Sequence, residues 1–408
     1  MSAPSSIPSA HVELEVLGAH ATKSDGSAPI PQRYKLAASP PVGRLQNAAR
    51  WGAIAFAACA CVAVGVGVGV AVERGSSDAT AASRNEGANG VYAAAARGQD
   101  DYLSFLVVGD WGRRGDENQT AVARAMGRCG EVSRPDFVVS VGDNFYEGGL
   151  NAADDPEFAQ SFTDVYTHET LQVPWHAILG NHDYGDCGYD ESTRAEVACP
   201  LAADVNRSPQ FQLDPALRAR DWRWNAPARN FDLRPVADAH LFFIDTNPHV
   251  TSYSSRPWAT SVPGGLSTQN AAAGKSWLET GLRGSNARWK LVFGHHPMRS
   301  NGYWGDVDDV RNSLEATLAT NGVAAYFNGH DHDMQHTAVR VSGRRLHHFT
   351  SGAGSKTGRG FGVAETTFER DEPGFASVRV SHDAVKVQFW GAGENEGLLH
   401  AVTVEPPS

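Results

Sequence analysis

The chain has 408 residues, 41% apolar and 20% charged, a composition that supports a large core and excludes a fibrous or wholly disordered protein. Acids outnumber bases 46 to 35, and no long basic run tracks a polyanion, which excludes nucleic acid as the main partner. An acidic chain that handles anions must bring in positive charge locally, and bound metal ions are the direct source.

Residues 1–50 are rich in Ser, Pro and Ala and read as a disordered tail. From Gly52 to Val72 there is no charged residue, a length of about 31 Å as a helix and enough to span a bilayer. It begins too deep in the chain for an ordinary signal peptide. Val and Gly alternate toward Val70, a composition membranes tolerate better than water does. Arg33, Lys35, Arg44 and Arg50 lie upstream, whereas Arg74 and Arg84 are diluted by Glu73, Asp78 and Glu86. That bias predicts a single-pass anchor with a cytoplasmic N-terminus and the large C-terminal part lumenal or extracellular. A buried core helix, a targeting segment cleaved near Ala79-Thr80-Ala81, releasing a secreted protein, and a spurious N-terminal extension are the alternatives. Residues 73–100 read as a flexible stalk. Sequons at Asn118 and Asn206 fit a glycoprotein outside the cytoplasm.

From residue 101 to 408 short apolar runs alternate with segments of helical period, such as Val122, Met126 and Cys129. That is an α/β pattern. Of the five cysteines, Cys187 and Cys199 bracket a polar stretch and could pair or stay reduced.

One local recurrence carries the chemistry. Five apolar runs each end in glycine plus a polar residue: LSFLVV before Gly109-Asp110, FVVSV before Gly142-Asp143, WHAIL before Gly180-Asn181, WKLVF before Gly294-His295, and VAAYF, then Asn328, before Gly329-His330. Such runs read as buried strands, and sites in open α/β sheets form at strand carboxyl ends. A lone strand-end Asp is more often a helix cap. Caps do not explain a set confined to Asp, Asn and His. Carboxylate, amide oxygen and imidazole suit hard and borderline metals, and the donors exceed the needs of one ion. His330 and His332, at i and i+2, face one side of an extended segment. Two ions sharing a carboxylate would clamp a phosphoryl group and acidify water. No P-loop and no Gly-x-Ser-x-Gly elbow is present.

The motifs GDWG (109–112), GDNFY (142–146), GNHD (180–183), VFGHHP (292–297) and GHDH (329–332), with FFIDTNP and SGAGSK, resemble the calcineurin-like metallophosphoesterases. More narrowly the chain resembles the purple acid phosphatases of the small, tartrate-resistant type over about residues 103–398. The resemblance implies a four-layer sandwich of two mixed sheets flanked by helices. It implies hydrolysis of phosphate monoesters by a hydroxide held on two metals. Asp110, Asp143, Tyr146 and His332 would hold iron(III). Asn181, His295, His330 and the bridging Asp143 would hold a second divalent ion, iron, zinc or manganese. Tyr146 enters through the resemblance alone. His182 is implied to protonate the leaving group or bind phosphate, with adjacent Asp183 as a candidate partner.

The sequence departs from the family at Trp304, where a further histidine is usual, and in a long segment from Asp186 to Pro209. His296, His336, His347 and His348 read as packing or surface residues. A related phosphodiesterase or protein phosphatase is the second reading, and a membrane-displayed binding protein with an inactive site the third.

Overall fold

The computed structural model describes residues 102–190, 195–196, 207–363 and 366–406. The tail, the uncharged run at 52–72, the stalk, Cys199 and Asn206 lie outside them. Among the described residues no helix is long and apolar enough to cross a membrane.

The strands in chain order are β1 (Leu103–Val108), β2 (Phe137–Ser140), β3 (Trp175–Ala177), β4 (Tyr189–Asp190), β5 (Ala195–Glu196), β6 (Trp224–Asn225), β7 (Phe231–Val236), β8 (Ala239–Phe243), β9 (Trp289–Phe293), β10 (Val323–Asn328), β11 (Met334–Val341), β12 (Arg344–Ser351), β13 (Phe368–Arg370), β14 (Gly374–Val380), β15 (Val385–Gly391) and β16 (Gly397–Val404). One sheet has the order β16-β15-β14-β1-β2-β3-β6, the other β13-β11-β12-β10-β9-β8-β7, and β4 and β5 pair as a separate two-stranded sheet. Both sheets are mixed. In the first, β1, β2, β3 and β6 run parallel and β14 pairs antiparallel to β1. In the second, β8, β9, β10 and β12 run parallel, with β7 and β11 antiparallel at the flanks.

Side-chain alternation builds the layers. Phe105 and Val107 of β1 point into one core shared with Phe243, Phe293 and Phe327 of the other sheet. Leu106 and Val108 point the opposite way, against Val122 and Met126 of α1 (Gln119–Ser133). Likewise Phe242 and Val292 face Leu278 and Leu282 of the helix Ala271–Gly284. Strands covered on both faces must be apolar throughout, which is why the runs read as continuous rather than alternating. The observed strands match the five runs, with β2 and β3 ending one or two residues early. The expected helical stripe at Val122, Met126 and Cys129 is buried in α1. Exposed Asn118 immediately precedes that helix.

The residues between the predicted donors serve packing. Trp111 of GDWG and Phe145 of GDNFY enter an aromatic cluster with Phe162, Trp175 and Trp224. The Trp111 indole N–H also donates to Ser140 Oγ at 2.8 Å. The site therefore rests on a rigid floor made by its own motifs, and truncating such a buried ring would cost about 3–5 kcal/mol.

Candidate metal centre

All five strand ends meet at the seam between the sheets. The turns differ from the expectation in one respect. Three candidate donors, Asp110 (φ 61°), Asp143 (φ 51°) and His330 (φ 71°), themselves adopt the left-handed conformation. A non-glycine residue pays for this region sterically, by about 1–3 kcal/mol, so these turns are held by their surroundings. Two preceding glycines serve close approach instead. A Cβ on Gly180 would lie 2.2 Å from Asp143 Oδ1, and one on Gly329 would lie 2.3 Å from Asp110 Oδ2.

The donors form two nests. In the first, Tyr146 OH lies 3.2 Å from Asp110 Oδ1, 3.1 Å from Asp143 Oδ2 and 3.1 Å from His332 Nε2. One hydroxyl has one proton and cannot donate to three acceptors. In the second, Asn181 Oδ1 lies 3.1 Å from His295 Nε2 and 3.0 Å from His330 Nδ1. His295 Nε2 is also 3.4 Å from Asp143 Oδ2. The orientations are fixed from outside. His295 Nδ1 donates to the Val141 carbonyl oxygen at 2.8 Å, which points Nε2 inward. Asn181 Nδ2 donates to Asp186 Oδ2 at 3.0 Å, which points Oδ1 inward. Asp143 belongs to both nests. Electron-pair donors packed this closely away from water fit around cations, and their chemistry suits two metal ions.

The ionisation of these side chains points the same way. Burial raises the Asp110 carboxyl well above its ordinary range. Burial also opposes ionisation of Asp143, but His295 and His182 outweigh it and hold that carboxyl well below its usual value. Burial pulls the His295 imidazole down, and Asp143 outweighs it, to about 9. Burial lowers His330 and His332 well below the usual histidine value, with His295 and Arg359 respectively adding to it. Burial, then Asp143 and Asp110, push the Tyr146 phenol well up. A phenolate there needs a strong cation beside it.

His182 stands at the mouth. Its backbone N–H donates to Asp143 Oδ1 at 2.8 Å, and its ring lies against Tyr146 with centroids 4.4 Å apart. Its Nδ1 faces Glu147 Oε2 at 3.5 Å. Glu147, rather than Asp183, is therefore the carboxylate partner. Glu147 also pairs with Arg113, whose guanidinium lies 3.7 Å above the Tyr146 ring. Asp183 turns into the protein and accepts the backbone N–H groups of Asn144 (2.9 Å), Phe145 (3.3 Å) and Gly180 (2.8 Å), and the side chain of Gln212 (2.8 Å). It staples the GDNFY loop to the GNHD loop. His296 is a packing residue, as expected: its nitrogens meet Thr246 Oγ1 at 2.8 Å and Tyr253 OH at 3.0 Å.

The crevice above the nests holds about 630 Å³ and is lined by His182, His330, Arg256, Trp258, Trp304 and Arg359 among others. Cys187 at its rim is disulfide-bonded. Glu147 and Arg113 were missed as functional residues, and Asp183, expected beside His182, joins two loops instead. Only the position of Glu147, next to Tyr146, offered a signal.

Residues 103–334 match the calcineurin-like phosphoesterase family. Purple acid phosphatase 17 of Arabidopsis thaliana is 41% identical over 307 residues, covering 71% of this chain and 81% of that protein. Tartrate-resistant acid phosphatase type 5 of Mus musculus is 31% identical over 249 residues, covering 57% and 68%. Among solved structures, a purple acid phosphatase from yellow lupin seeds aligns with a TM-score of 0.52 at 14% identity, covering 75% of this chain and 54% of that one. GAP50, the anchor in the inner membrane complex of Plasmodium, aligns with a TM-score of 0.54 at 21% identity, covering 75% and 89%. At these identities the structural matches bear on the fold alone.

Proposed function

This chain belongs to the calcineurin-like phosphoesterase family, among the purple acid phosphatases, and from that premise we propose that its two nests hold iron(III) and a divalent iron, zinc or manganese ion. The protein is an acid phosphatase, a metal-dependent phosphoric monoester hydrolase. The observation that carries the metal reading is the sharing of Asp143 between two groups of inward-turned donors.

Asp110, Tyr146 and His332, with Asp143, would hold iron(III), because a phenolate and two carboxylates match a hard trivalent ion. Asn181, His295 and His330, with Asp143, would hold the divalent ion. When bound, the ions supply positive charge for the phosphoryl oxygens and acidify water near neutral pH. The chain's own groups do the rest. Val141 and Asp186 aim the donors from behind. His182, at the open side of the nests, holds the proton for the departing oxygen. Glu147 gives its imidazolium a counter-ion, and Arg113 holds Glu147 in place.

Purified protein should be purple, contain two metal equivalents including iron, and hydrolyse p-nitrophenyl phosphate. An active, colourless, iron-free enzyme would sink the iron assignment. Equal rates for wild type and Asp143→Ala would sink the catalytic one.

We also propose that the uncharged run at 52–72 anchors the enzyme in a membrane, catalytic domain outside the cytoplasm, with Asn118 available for glycosylation. The charge bias around that run and the exposure of Asn118 support this. Alkaline carbonate extraction and protease protection test it: release into the soluble fraction would overturn the anchor.

A further inference from the structure

A second cavity, of about 440 Å³, lies at the start of the helix Ala271–Gly284 and shares no lining residue with the crevice above the nests. His249 lines it and is 5% exposed. Its Nδ1 lies 2.9 Å from Ser313 Oγ, whereas its buried Nε2 has no partner among the described residues. Burial holds this imidazole below the usual histidine value, so the ring is neutral. The Ser313 hydroxyl finds its one acceptor among the described residues in Nδ1, which leaves the ring proton on Nε2. A buried N–H costs free energy until something accepts it. Nε2 faces Gly274, another lining residue: a Cβ built there would lie 4.0 Å from it and 3.4 Å from Asn230 Nδ2.

The other polar groups of the lining are donors too. Asn230 Oδ1 accepts the Asp245 N–H at 2.9 Å, which fixes Nδ2 as the end turned toward Gly274. At the helix start, Ala273 N–H donates to Asn270 Oδ1 and Gly274 N–H to the Asn270 carbonyl oxygen, both at 3.1 Å. The N–H groups of Ala271 and Ala272 keep no partner, as a first turn must, and the helix dipole adds positive charge there. The one carboxylate of the lining is already engaged. Asp245 accepts Tyr184 OH at 2.5 Å, the Asn247 N–H at 3.0 Å and Asn247 Nδ2 at 2.9 Å, and pairs with Arg229 at 3.3 Å. Trp277, Pro248 and Ala228 add apolar surface. Two glycines of the helix sharpen the contrast. A Cβ on Gly281 would lie 2.7 Å from the Phe242 ring, so packing demands that glycine. At Gly274 a Cβ would make contact rather than clash, and alanine is the better helix former. Glycine there leaves two donors uncovered at the helix's expense.

We infer that this cavity is a second binding site, for a small organic carboxylate with an apolar body. The carboxylate takes the N–H groups of the helix start, Asn230 Nδ2 and His249 Nε2, and the body lies against Trp277. A carboxylate is an acceptor only, with two oxygens and about four lone-pair sites, so it satisfies several convergent donors at once. A neutral amide of the same shape brings its own N–H groups against them. Inorganic phosphate carries further charged oxygens that the apolar side of the cavity cannot serve.

The test is calorimetric titration of the metal-loaded, full-length protein with benzoate and with benzamide, its neutral isostere, in wild type, Gly274→Ala and Asn230→Asp. Wild type should bind benzoate about tenfold or more tighter than benzamide, the scale of one charge-assisted hydrogen bond. Gly274→Ala covers two donors and should weaken benzoate by about tenfold or more. It should also raise the Tm and leave kcat/KM for p-nitrophenyl phosphate within about twofold, since Gly274 lies outside the crevice. Asn230→Asp keeps an acceptor for the Asp245 N–H and replaces the Nδ2 donor by a negative charge, and should weaken benzoate at least as much. Benzoate bound equally well by wild type and both variants would place it at the metals and overturn the proposal. Equal affinity for benzamide, or no binding of benzoate by wild type, would overturn it as well.

Discussion

Two groups of histidines, buried or half-buried, share this molecule and have opposite surroundings. His295, His330 and His332 stand at strand ends among carboxylates, an amide oxygen and a phenol. His336, His347 and His400 lie on β11, β12 and β16 among aromatic rings. His336 Nε2 and His347 Nδ1 are 3.0 Å apart, and their rings stack with planes at 8°. Burial dominates this second group and pushes His336 to about 3 and His347 to about 4. In the first group Asp143 overrides burial at His295. Residue type and burial are therefore poor markers of a site. The marker is a convergence of electron-pair donors whose orientations are fixed by bonds behind them.

That contrast can be broken most severely at Asp143. Asp143→Ala should lower kcat/KM for p-nitrophenyl phosphate about 10³-fold, the scale of removing a principal electrostatic group, and abolish stoichiometric metal binding. Retention of both metals, measured by elemental analysis, would remove the basis for separating the two groups.

Asn181→Ala addresses one nest alone. It should cost about 10²-fold in rate and lose the divalent ion, while the purple absorption of the other nest survives. Loss of colour together with the second metal would show that the nests are not separable.

The aromatic-packed group is tested by pH. An unfolded histidine titrates near 6.5, so a folded value of about 4 at His347 means that the unfolded chain binds more protons between those values. Its stability contribution is fully present above pH 6.5 and is lost as pH falls toward 4. Urea unfolding of the metal-loaded protein at pH 7 and pH 5 should show His347→Gln losing about 2 kcal/mol less than wild type on acidification. An identical pH slope in both proteins would show that His347 is not buried as a neutral ring.

The smallest expected effect is at Glu147. Glu147→Gln should lower kcat about tenfold with little change in metal content, because it removes the partner of His182 and leaves the nests intact. A large loss of iron would instead place Glu147 among the groups that hold the metal.

The sequence displayed the donors because each follows a run of five or six apolar residues, and such runs are confined to strands covered on both faces. The i, i+2 spacing of His330 and His332 was equally readable. Three things had no local signature. The stapling by Asp183 joins loops 39 residues apart and ends on Gln212. The place of Trp304 in the crevice lining depends on Asp331, 27 residues away, which accepts its backbone N–H. The left-handed backbone at Asp110, Asp143 and His330 follows from tertiary contacts, such as the His330 N–H donating to Asp110 Oδ2 at 3.0 Å across 220 residues. Local propensity would assign such turns to glycine. Tyr146 was reached only through resemblance, since a tyrosine after an apolar strand reads equally well as core.

The seam location of the nests bears on how the domain comes apart. Asp110, Asp143, Tyr146 and Asn181 follow strands of one sheet, and His295, His330 and His332 follow strands of the other. An ion that binds across them exists only when both sheets are in register, so its affinity is added to every opening that separates the halves. Amide hydrogen exchange should report this. In the loaded protein β1 and β10 would exchange together, at the rate of global unfolding. After chelation the two sheets are free to open as separate cooperative units.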